Sequence, residues 1–238
     1  MELAEVVGSL TAMQRFPIEP LGGEAPNVAP VGGPGLLGDR AYDLCDGQTG
    51  AALSTVDAPL LLFYGARYAD DLVIENLDAW TRVREPGGGE CPLTDSRWIE
   101  ELSRTLGREL VLRARPPAPM GAPLRLVSRP TLRLAERTYG CPLEPIRVRA
   151  NLVIDIPGGK AFEEDRWVGQ HLRIGDTLLE VTGPADDCFL ASFRPEIARG
   201  DPAMLEALVK VRGGHFGVAI RVVSGHRVRV GDPVSLSD

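Results

Sequence analysis

The sequence predicts a mainly β protein with a few helices, of the α+β class. Its 27 glycines and 20 prolines interrupt the 238-residue chain at short intervals, and this spacing favours short strands and tight turns over long helices. Seven segments have the alternating polarity or the β-branched content that is typical of strands. The predicted strands are Leu3–Val7, Arg40–Leu44, Glu109–Arg113, Asn151–Ile156, Leu178–Val181, Val218–Val223 and Val228–Val230.

Helices are predicted at three places. The first begins near Asp95, and Gly107 stands where a glycine commonly ends a helix. Asp57–Asp70 and Pro202–Val211 are predicted as two further helices, the second because an Asp-Pro pair suits a helix start. The apolar residues that share one face of the first helix are Trp98, Ile99, Leu102 and Leu106.

A proline-rich stretch, RPPAPMGAP at residues 115–123, is the best candidate for a linker. Proline stiffens such a segment, and it offers little to bury. The linker divides the chain into two β-rich units of similar size, residues 1–115 and residues 124–238. A glycine-rich patch at Pro86–Gly89 is interpreted as the tip of a hairpin.

Charge and composition indicate which kinds of molecule the protein can bind. The 26 basic and 33 acidic side chains leave a formal charge of -7, which argues against nucleic acid as a partner. Nearly all basic residues are arginines, and these suit the binding of planar anions. The first ten residues lack the basic and apolar regions of a signal peptide. The longest apolar run, Leu60–Phe63, is far too short to span a bilayer, so we expect a cytoplasmic protein without a membrane partner.

Four cysteines lie far apart in the sequence: Cys45, Cys91, Cys141 and Cys188. Because none belongs to a CxxC pair or a similar cluster, a zinc ribbon or an iron–sulfur module is not expected. The three histidines have no second metal-type ligand at a telling spacing, which argues against a zinc or iron site.

Short motifs follow one another in both halves of the chain. The C-terminal half contains RANLVI at 149–154, FEEDRWVG at 162–169, LRIGD at 172–176, GPADDC at 183–188, FGV at 216–218 and VGDPV at 230–234. Their order and spacing resemble the MOSC domain, which is named for the C-terminal domain of molybdenum cofactor sulfurase. The N-terminal half contains RFPIEP at 15–20, GLLGDRAY at 35–42 and DGQTG at 46–50, and it resembles the β-barrel domain that precedes MOSC in many of these proteins.

The resemblance covers almost the whole chain, and similar proteins include bacterial relatives of the mitochondrial amidoxime-reducing component. It implies two β-barrel-like units, with an N-terminal β-barrel-like domain at residues 1–115 and a MOSC-type barrel at residues 124–238. The N-terminal strand of similar proteins can return to complete the C-terminal barrel. The resemblance also implies a binding cleft between the two units.

The resemblance implies a site around Cys188, which falls at the position of the family's reactive cysteine. A soft thiolate is a good ligand for molybdenum and a good acceptor for sulfane sulfur, so Cys188 is predicted as both metal ligand and catalytic residue. In similar reductases, Asp-Arg and Arg-x-Asn motifs contact the molybdenum cofactor, and the matching residues are Arg40, Arg149 and Asn151. Guanidinium groups suit this role because they bind phosphate in bidentate fashion and stack on planar rings.

The sequence departs from the family pattern in three places, one of which is Phe189, Leu190 and Ala191 where threonines often follow the cysteine. The other two change the charge. Glu19 and Pro20 replace a Lys-Ser pair, which removes one phosphate-binding cation. Asp187, with Asp186 before it, replaces the arginine that usually precedes the cysteine. Carboxylates at these places oppose an anionic cofactor.

Other motif residues are interpreted as structural. The Gly-Asp pairs at 175–176 and 231–232 suit hairpin turns. Phe162 and Trp167 are expected to fill the core beside the cofactor loop. The acidic run at 163–165 is expected to brace a loop instead of performing acid–base chemistry.

Three functions remain open at this point. The first is a molybdenum-dependent oxidoreductase that reduces N-hydroxylated compounds. Since the chain has no flavin or iron–sulfur signature, its electrons would come from a separate ferredoxin or flavoprotein. The second is a sulfur carrier or sulfurtransferase, in which Cys188 takes sulfur as a persulfide from a cysteine desulfurase. The third is a binding module without a cofactor, because a fold does not fix a function.

Overall fold

The computed structural model describes residues 5–55, 58–70, 77–116, 118–120, 123–140, 143, 147–185, 193–194, 199–200 and 215–237. The helices are α1 (Leu77–Trp80), α2 (Arg97–Leu106) and α3 (Arg129–Tyr139). The strands are β1 (Val6–Met13), β2 (Val28–Gly32), β3 (Gly35–Leu36), β4 (Tyr42–Asp46), β5 (Gly65–Tyr68), β6 (Thr81–Arg84), β7 (Glu90–Pro92), β8 (Leu110–Ala114), β9 (Leu124–Ser128), β10 (Leu152–Asp155), β11 (His171–Ile174), β12 (Thr177–Pro184), β13 (Phe193–Arg194), β14 (Arg199–Gly200), β15 (Val218–Ser224), β16 (Arg227–Arg229) and β17 (Pro233–Ser237).

Seven strands close into a barrel in the order β1-β10-β9-β15-β12-β11-β17. Neighbouring strands are antiparallel, except that β9 and β10 run parallel. Side chains alternate between the inside and the outside of the barrel, as the pleat of a strand requires. On β15, Val218, Ile220 and Val222 point into the apolar core, whereas Val223 is exposed. The mainly β class with a few helices and a barrel built largely from the C-terminal half is confirmed.

The barrel needs both ends of the chain. Strand β1 pairs with β10 on one side and with β17 on the other. It begins three residues later than the predicted strand Leu3–Val7 and continues to Met13. Strand β2 also pairs with β16 near the C-terminus. The division into domains at 1–115 and 124–238 stays a prediction. Strands from the two sides of the predicted linker pair with one another.

The remaining strands of the N-terminal part form small sheets around a second apolar core. Strand β4 pairs with β8, and β5, β6 and β7 form a three-stranded sheet. Helix α2 covers this core with Trp98 and Leu102, and the Trp98 indole donates to the Leu93 carbonyl at 3.1 Å. Gly107 ends α2 with a φ of 66°, which confirms the predicted helix and its cap.

The predicted helix at Asp57–Asp70 is wrong. A short 3-10 turn spans Pro59–Phe63, and β5 follows at Gly65–Tyr68. A short apolar run can fit either a helix or a buried strand, and here the pairing of β5 with β6 decides for the strand. The predicted helix at Pro202–Val211 lies outside the described residues.

Helix α3 was not predicted, although its boundary signals are present. The Ser128 hydroxyl accepts from the Thr131 backbone N–H at 3.3 Å, and Pro130 lies in the first turn. Gly140 ends the helix with a φ of 66°. Among the described residues, no helix is long and apolar enough to cross a membrane.

Two adjacent valines of β15 test the inward and outward alternation of the barrel. Val222→Ala removes two methyl groups from the core and should lower the free energy of unfolding by about 2 kcal/mol. Val223→Ala makes the same change on the exposed face and should alter that free energy by less than about 0.5 kcal/mol. Urea unfolding of both variants measures the difference, and equal losses would contradict the barrel register.

Candidate functional site

A cleft of about 1490 Å³ lies at one end of the barrel, against the N-terminal part of the chain. Most of its lining comes from three regions: the loop around 31–42, the segment around 114–125, and the barrel end at Asn151, Pro184, Ala185 and Ala219. Glu19, Leu77 and Asp78 line it as well. A site between the two predicted units was expected, and both the division into units and the site stay predictions. Pockets of this kind, with apolar walls and a few polar groups, are the usual form of a ligand site.

The segment predicted as a linker forms one wall of the cleft. Pro116, Pro119 and Pro123 line it, and Leu36 and Leu37 stand on the loop from the N-terminal part. These residues give the wall an apolar surface. The linker therefore shapes the site in addition to joining the two units.

Arg40 lies in the lining of the cleft, and its predicted role in cofactor binding stays a prediction. Its backbone has a φ of 52°, a left-handed conformation that is unusual outside glycine and frequent at functional sites. The guanidinium bonds to Asp39, and its Nε lies 2.9 Å from Glu19 Oε2. Burial works against the charged form, but the two carboxylates outweigh it and raise the pKa of Arg40. The residue is therefore a fixed cation in the lining of the cleft.

Asn151 lines the cleft, but its side chain is occupied by the protein itself. Its Oδ1 accepts from the Arg125 backbone N–H at 3.1 Å and from Arg40 Nη1 at 3.5 Å. Its Nδ2 donates to the Gln14 carbonyl at 3.3 Å and to Asp39 Oδ2 at 3.0 Å. Asn151 is only 1% exposed. It positions Asp39 and Arg40 and has little capacity left for a ligand.

Arg149 lies behind the cleft and is absent from its lining. Its Nη1 donates to the Leu21 carbonyl at 3.1 Å, and its Nη2 donates to the Glu19 carbonyl. The guanidinium carbon stands 4.0 Å from the centre of the Phe16 ring. Burial lowers the pKa of Arg149 to about 10, so the group is still charged at neutral pH. Like Arg40, it has a positive φ, here 48°.

Glu19 connects three arginines, and the sequence indicated it only as a departure from the family pattern. Its Oε2 lies 2.9 Å from Arg40 Nε and 3.6 Å from Arg115 Nη1, and its Oε1 lies 3.6 Å from Arg149 Nη2. Arg115 also forms an ion pair with Asp43, whose carboxylate accepts hydrogen bonds from Nε and Nη2 of Arg115. Sequence analysis missed Arg115 because it treated the linker as a spacer.

Asp39 is the second residue that sequence analysis missed. One of its oxygens accepts from the Phe16 backbone N–H at 2.8 Å, and the other accepts from Arg40 and from Asn151. The carboxylate thus joins the chain at 16, the loop at 39–40 and the start of β10. Its signal was the Asp-Arg pair itself, in which only the arginine was assigned a role.

Cys188, Asp186 and Asp187 lie outside the described residues, as does Cys141. Strand β12 ends at Pro184, and both Pro184 and Ala185 line the cleft, so the chain leaves the barrel beside the cleft three residues before Cys188. Cys45 is buried in β4. Burial, with Glu85 and Asp95, raises the pKa of Cys91, which makes it a poor thiolate.

No cluster of three or more metal-type ligands occurs among the residues that the structure describes. Glu164 of the acidic run is fully buried and braces a loop, as expected. Its two oxygens accept from the Ser128 backbone N–H at 3.1 Å and from the Ser128 hydroxyl at 2.7 Å. Trp167 belongs to the barrel core, and the Gly-Asp pairs at 175–176 and 231–232 lie in turns.

The occupied side chain of Asn151 leads to a stability prediction. Asn151→Ala should lower the free energy of unfolding by about 2 kcal/mol without any ligand, because partly buried backbone groups of Arg125 and Gln14 lose their partners. Asn27→Ala, at an exposed position, should change it by less than about 0.5 kcal/mol. Thermal and urea unfolding of the two variants provide the test. A stable Asn151→Ala protein would mean that the amide serves a ligand and not the fold.

Two curated relatives are both named molybdenum cofactor sulfurase. The protein from Drosophila mojavensis is 29% identical over 149 residues, which cover 56% of this chain and 18% of the relative. The protein from Drosophila grimshawi is 33% identical over 97 residues, which cover 38% of this chain and 12% of the relative. The chain thus matches less than a fifth of the length of these relatives.

Solved structures with a similar arrangement include the YuaD protein from Bacillus subtilis, which is 15% identical with a TM-score of 0.47. That match covers 98% of this chain and 94% of YuaD. YiiM from Geobacillus stearothermophilus is 17% identical with a TM-score of 0.39, over 55% of this chain and 64% of YiiM.

A comparison with protein families matches the MOSC domain to residues 113–235. This range includes β9 to β12 and β15 to β17, which supply six of the seven barrel strands. The match covers more than half of the chain. The chain belongs to the MOSC domain family.

Proposed function

We propose that this protein binds the molybdenum cofactor in the cleft and acts as an oxidoreductase on N-hydroxylated compounds. One observation carries the proposal. Arg40 lines the cleft together with Pro184 and Ala185, at and just after the end of β12, and Ala185 is three residues before Cys188 in the sequence. A cation for a phosphate and a thiolate for a metal are the two protein groups that such a cofactor needs.

The described residues fit the cofactor in size and in chemistry. The volume of about 1490 Å³ exceeds that of a typical small-molecule site. Arg40, Arg115 and Arg125 line the cleft, and guanidinium groups suit both the phosphate and the planar pterin. The left-handed backbones of Arg40 and Arg149 are the kind of strain that is held at functional sites. Glu19 and Asp39 also line the cleft, and their carboxylates work against an anion.

The protein's own residues would divide the work of such a reaction. Arg40 and Arg115 would bind the phosphate, and the proline wall at Pro116, Pro119 and Pro123 would exclude water from the reacting end of the cleft. Cys188 would hold the metal. When bound, the cofactor supplies two-electron oxygen-atom transfer chemistry.

The overall reaction balances with an external electron source. Two electrons and two protons convert an N–OH group to N–H and release one water molecule. A separate ferredoxin or flavoprotein would supply the electrons, since the sequence carries no flavin or iron–sulfur signature.

A sulfur carrier is the second candidate, and the charge balance of the cleft favours it. Asp39, Asp43 and Glu19 already neutralise Arg40 and Arg115, which weakens the case for a resident anion. The sulfurase name of the curated relatives also supports sulfur chemistry. In this function, Cys188 would accept sulfur from a cysteine desulfurase as a persulfide and pass it to an acceptor.

Metal and pterin content of protein made in a host that synthesises the cofactor tests the first candidate. Wild-type protein should contain near-stoichiometric molybdenum and pterin, because the cleft and Cys188 together hold the group. Cys188→Ser should lose the metal or change its absorption spectrum, since a hydroxyl is a poor replacement for a soft thiolate. Cys91→Ser is the matched control and should keep both. A wild-type protein without molybdenum and pterin would rule out this function.

Intact-mass spectrometry tests the second candidate. After incubation with a cysteine desulfurase and cysteine, the wild-type protein should gain the mass of one sulfur atom, and a thiol reductant should remove it. Cys188→Ser should gain nothing, whereas Cys91→Ser should behave like the wild type. An unmodified wild-type protein would count against a sulfur carrier. A protein that shows neither molybdenum nor added sulfur would support a binding module without a cofactor.

A further inference from the structure

The geometry points to a second role for Glu19: we infer that its carboxylate is a displaceable internal anion that occupies the place of an external oxyanion. This inference rests on the proposed function only for the identity of the natural anion. The arrangement from which it is drawn belongs to the protein itself and can be tested with a simple oxyanion.

The carboxylate has the surroundings of a bound anion. Its two oxygens face guanidinium nitrogens of Arg40, Arg115 and Arg149 at 2.9, 3.6 and 3.6 Å. Three guanidinium groups that converge on one point form an oxyanion site in proteins. Here the two oxygens of a side chain fill it. A phosphate monoester has three terminal oxygens and could contact all three guanidinium groups.

Glu19 is the extra carboxylate of the cluster. Without Glu19, Arg40 would still form an ion pair with Asp39, and Arg115 would still form one with Asp43. For Arg149, Glu19 is the one carboxylate partner among the described residues. Removal of the Glu19 charge therefore leaves three cations against two anions, with Arg149 unpaired in charge. Such a cluster should attract an external oxyanion strongly because it is partly desolvated.

The Arg149 guanidinium also retains a free donor. Its Nε is buried and has no hydrogen-bond partner among the described residues. A buried donor without an acceptor is uncommon in a folded protein and calls for an explanation. An oxyanion at the position of the Glu19 carboxylate would lie close to this guanidinium and would add negative charge beside it.

The Glu19 side chain has room to move away from the cluster. It is 28% exposed, whereas its partner Arg149 is only 7% exposed. The backbone of Glu19 is held separately, since its N–H donates to the Tyr42 carbonyl at 2.9 Å and its carbonyl accepts from Arg149. The carboxylate can therefore leave the arginines while the main chain stays in place. Wild-type protein should bind oxyanions weakly, because each must first displace Glu19.

Titration of the cofactor-free protein with inorganic phosphate at constant ionic strength tests the inference. Glu19→Gln keeps the shape of the side chain and removes its charge, so phosphate should bind at least about tenfold more tightly than to the wild type. Glu19→Ala should show the same gain if the isosteric variant folds poorly. Isothermal calorimetry measures the dissociation constants, and thermal unfolding with and without phosphate checks them.

Two further variants show where any gain arises. Glu180→Gln removes the same charge from a Glu–Arg pair on the barrel wall, where Glu180 Oε2 lies 2.8 Å from Arg221 Nε, and it should bind phosphate as the wild type does. Arg40→Gln in the Glu19→Gln background should abolish the gain. Equal phosphate affinity of the wild type and both Glu19 variants would overturn the inference, and so would an equal gain from Glu180→Gln.

The inference and the proposed function can fail separately. Stoichiometric molybdenum in the wild type with no phosphate gain in the Glu19 variants would leave the function intact and reject the role of Glu19. A phosphate gain without molybdenum in any preparation would establish the internal anion and reject the cofactor as its natural competitor.

Discussion

The side-chain amide of Asn151 is the contact on which the arrangement of the cleft depends. Asn151 stands directly before β10, whose neighbours in the barrel are β1 and β9. Its oxygen accepts from the backbone of Arg125 at the start of β9, and its nitrogen donates to the carbonyl of Gln14 after β1. The same amide reaches Asp39 in the N-terminal loop. One buried group therefore fixes the end of the barrel and the loop that carries Arg40.

The charged groups of the cleft form pairs of opposite sign, and neither sign is in large excess. Arg40 and Arg115 each have a carboxylate that holds them in place, and Glu19 lies between them. Half-buried cations of this kind would repel one another without such partners. The pairs contribute modestly to the free energy of folding, since the desolvation of each charge offsets much of the attraction. Their larger effect is geometric, because they hold the guanidinium groups in one orientation before any ligand arrives.

The sequence predicted the barrel strands well because the pattern of apolar residues there is local. Strands β10 and β15 lie within one residue of their predicted bounds at each end, and α2 ends at the predicted glycine. The segment at Asp57–Asp70 was assigned to the wrong class because its strand is selected by pairing with β6, which a local pattern does not contain. Helix α3 had a serine cap, a proline and a terminal glycine, but its arginines and threonines weakened the apolar period.

Sequence motifs identified several residues of the site, but they did not show which residues contact one another. Arg40 and Asn151 were identified from motifs, and both line the cleft. Arg149 came from the same motif, yet it lies behind the cleft, because its donors serve the carbonyls of Glu19 and Leu21. Such long-range contacts, here across about 130 positions of the chain, leave no trace in local spacing. Arg115 was missed because its segment was interpreted as a linker, and Asp39 because only the arginine of the Asp-Arg pair was assigned a role.

Glu19 stands where the family resemblance implies a lysine, and this difference changes the balance between folding and binding. A lysine at position 19 would add a fourth cation beside Arg40, Arg115 and Arg149, and the cleft would then depend on a bound anion to offset their repulsion. Glu19 supplies that negative charge from within the chain. The folded protein gains independence from its ligand, and the same carboxylate must reduce the affinity for any anion that competes for the three guanidinium groups. Stability without a ligand and affinity for an anionic one are therefore opposed at this single position.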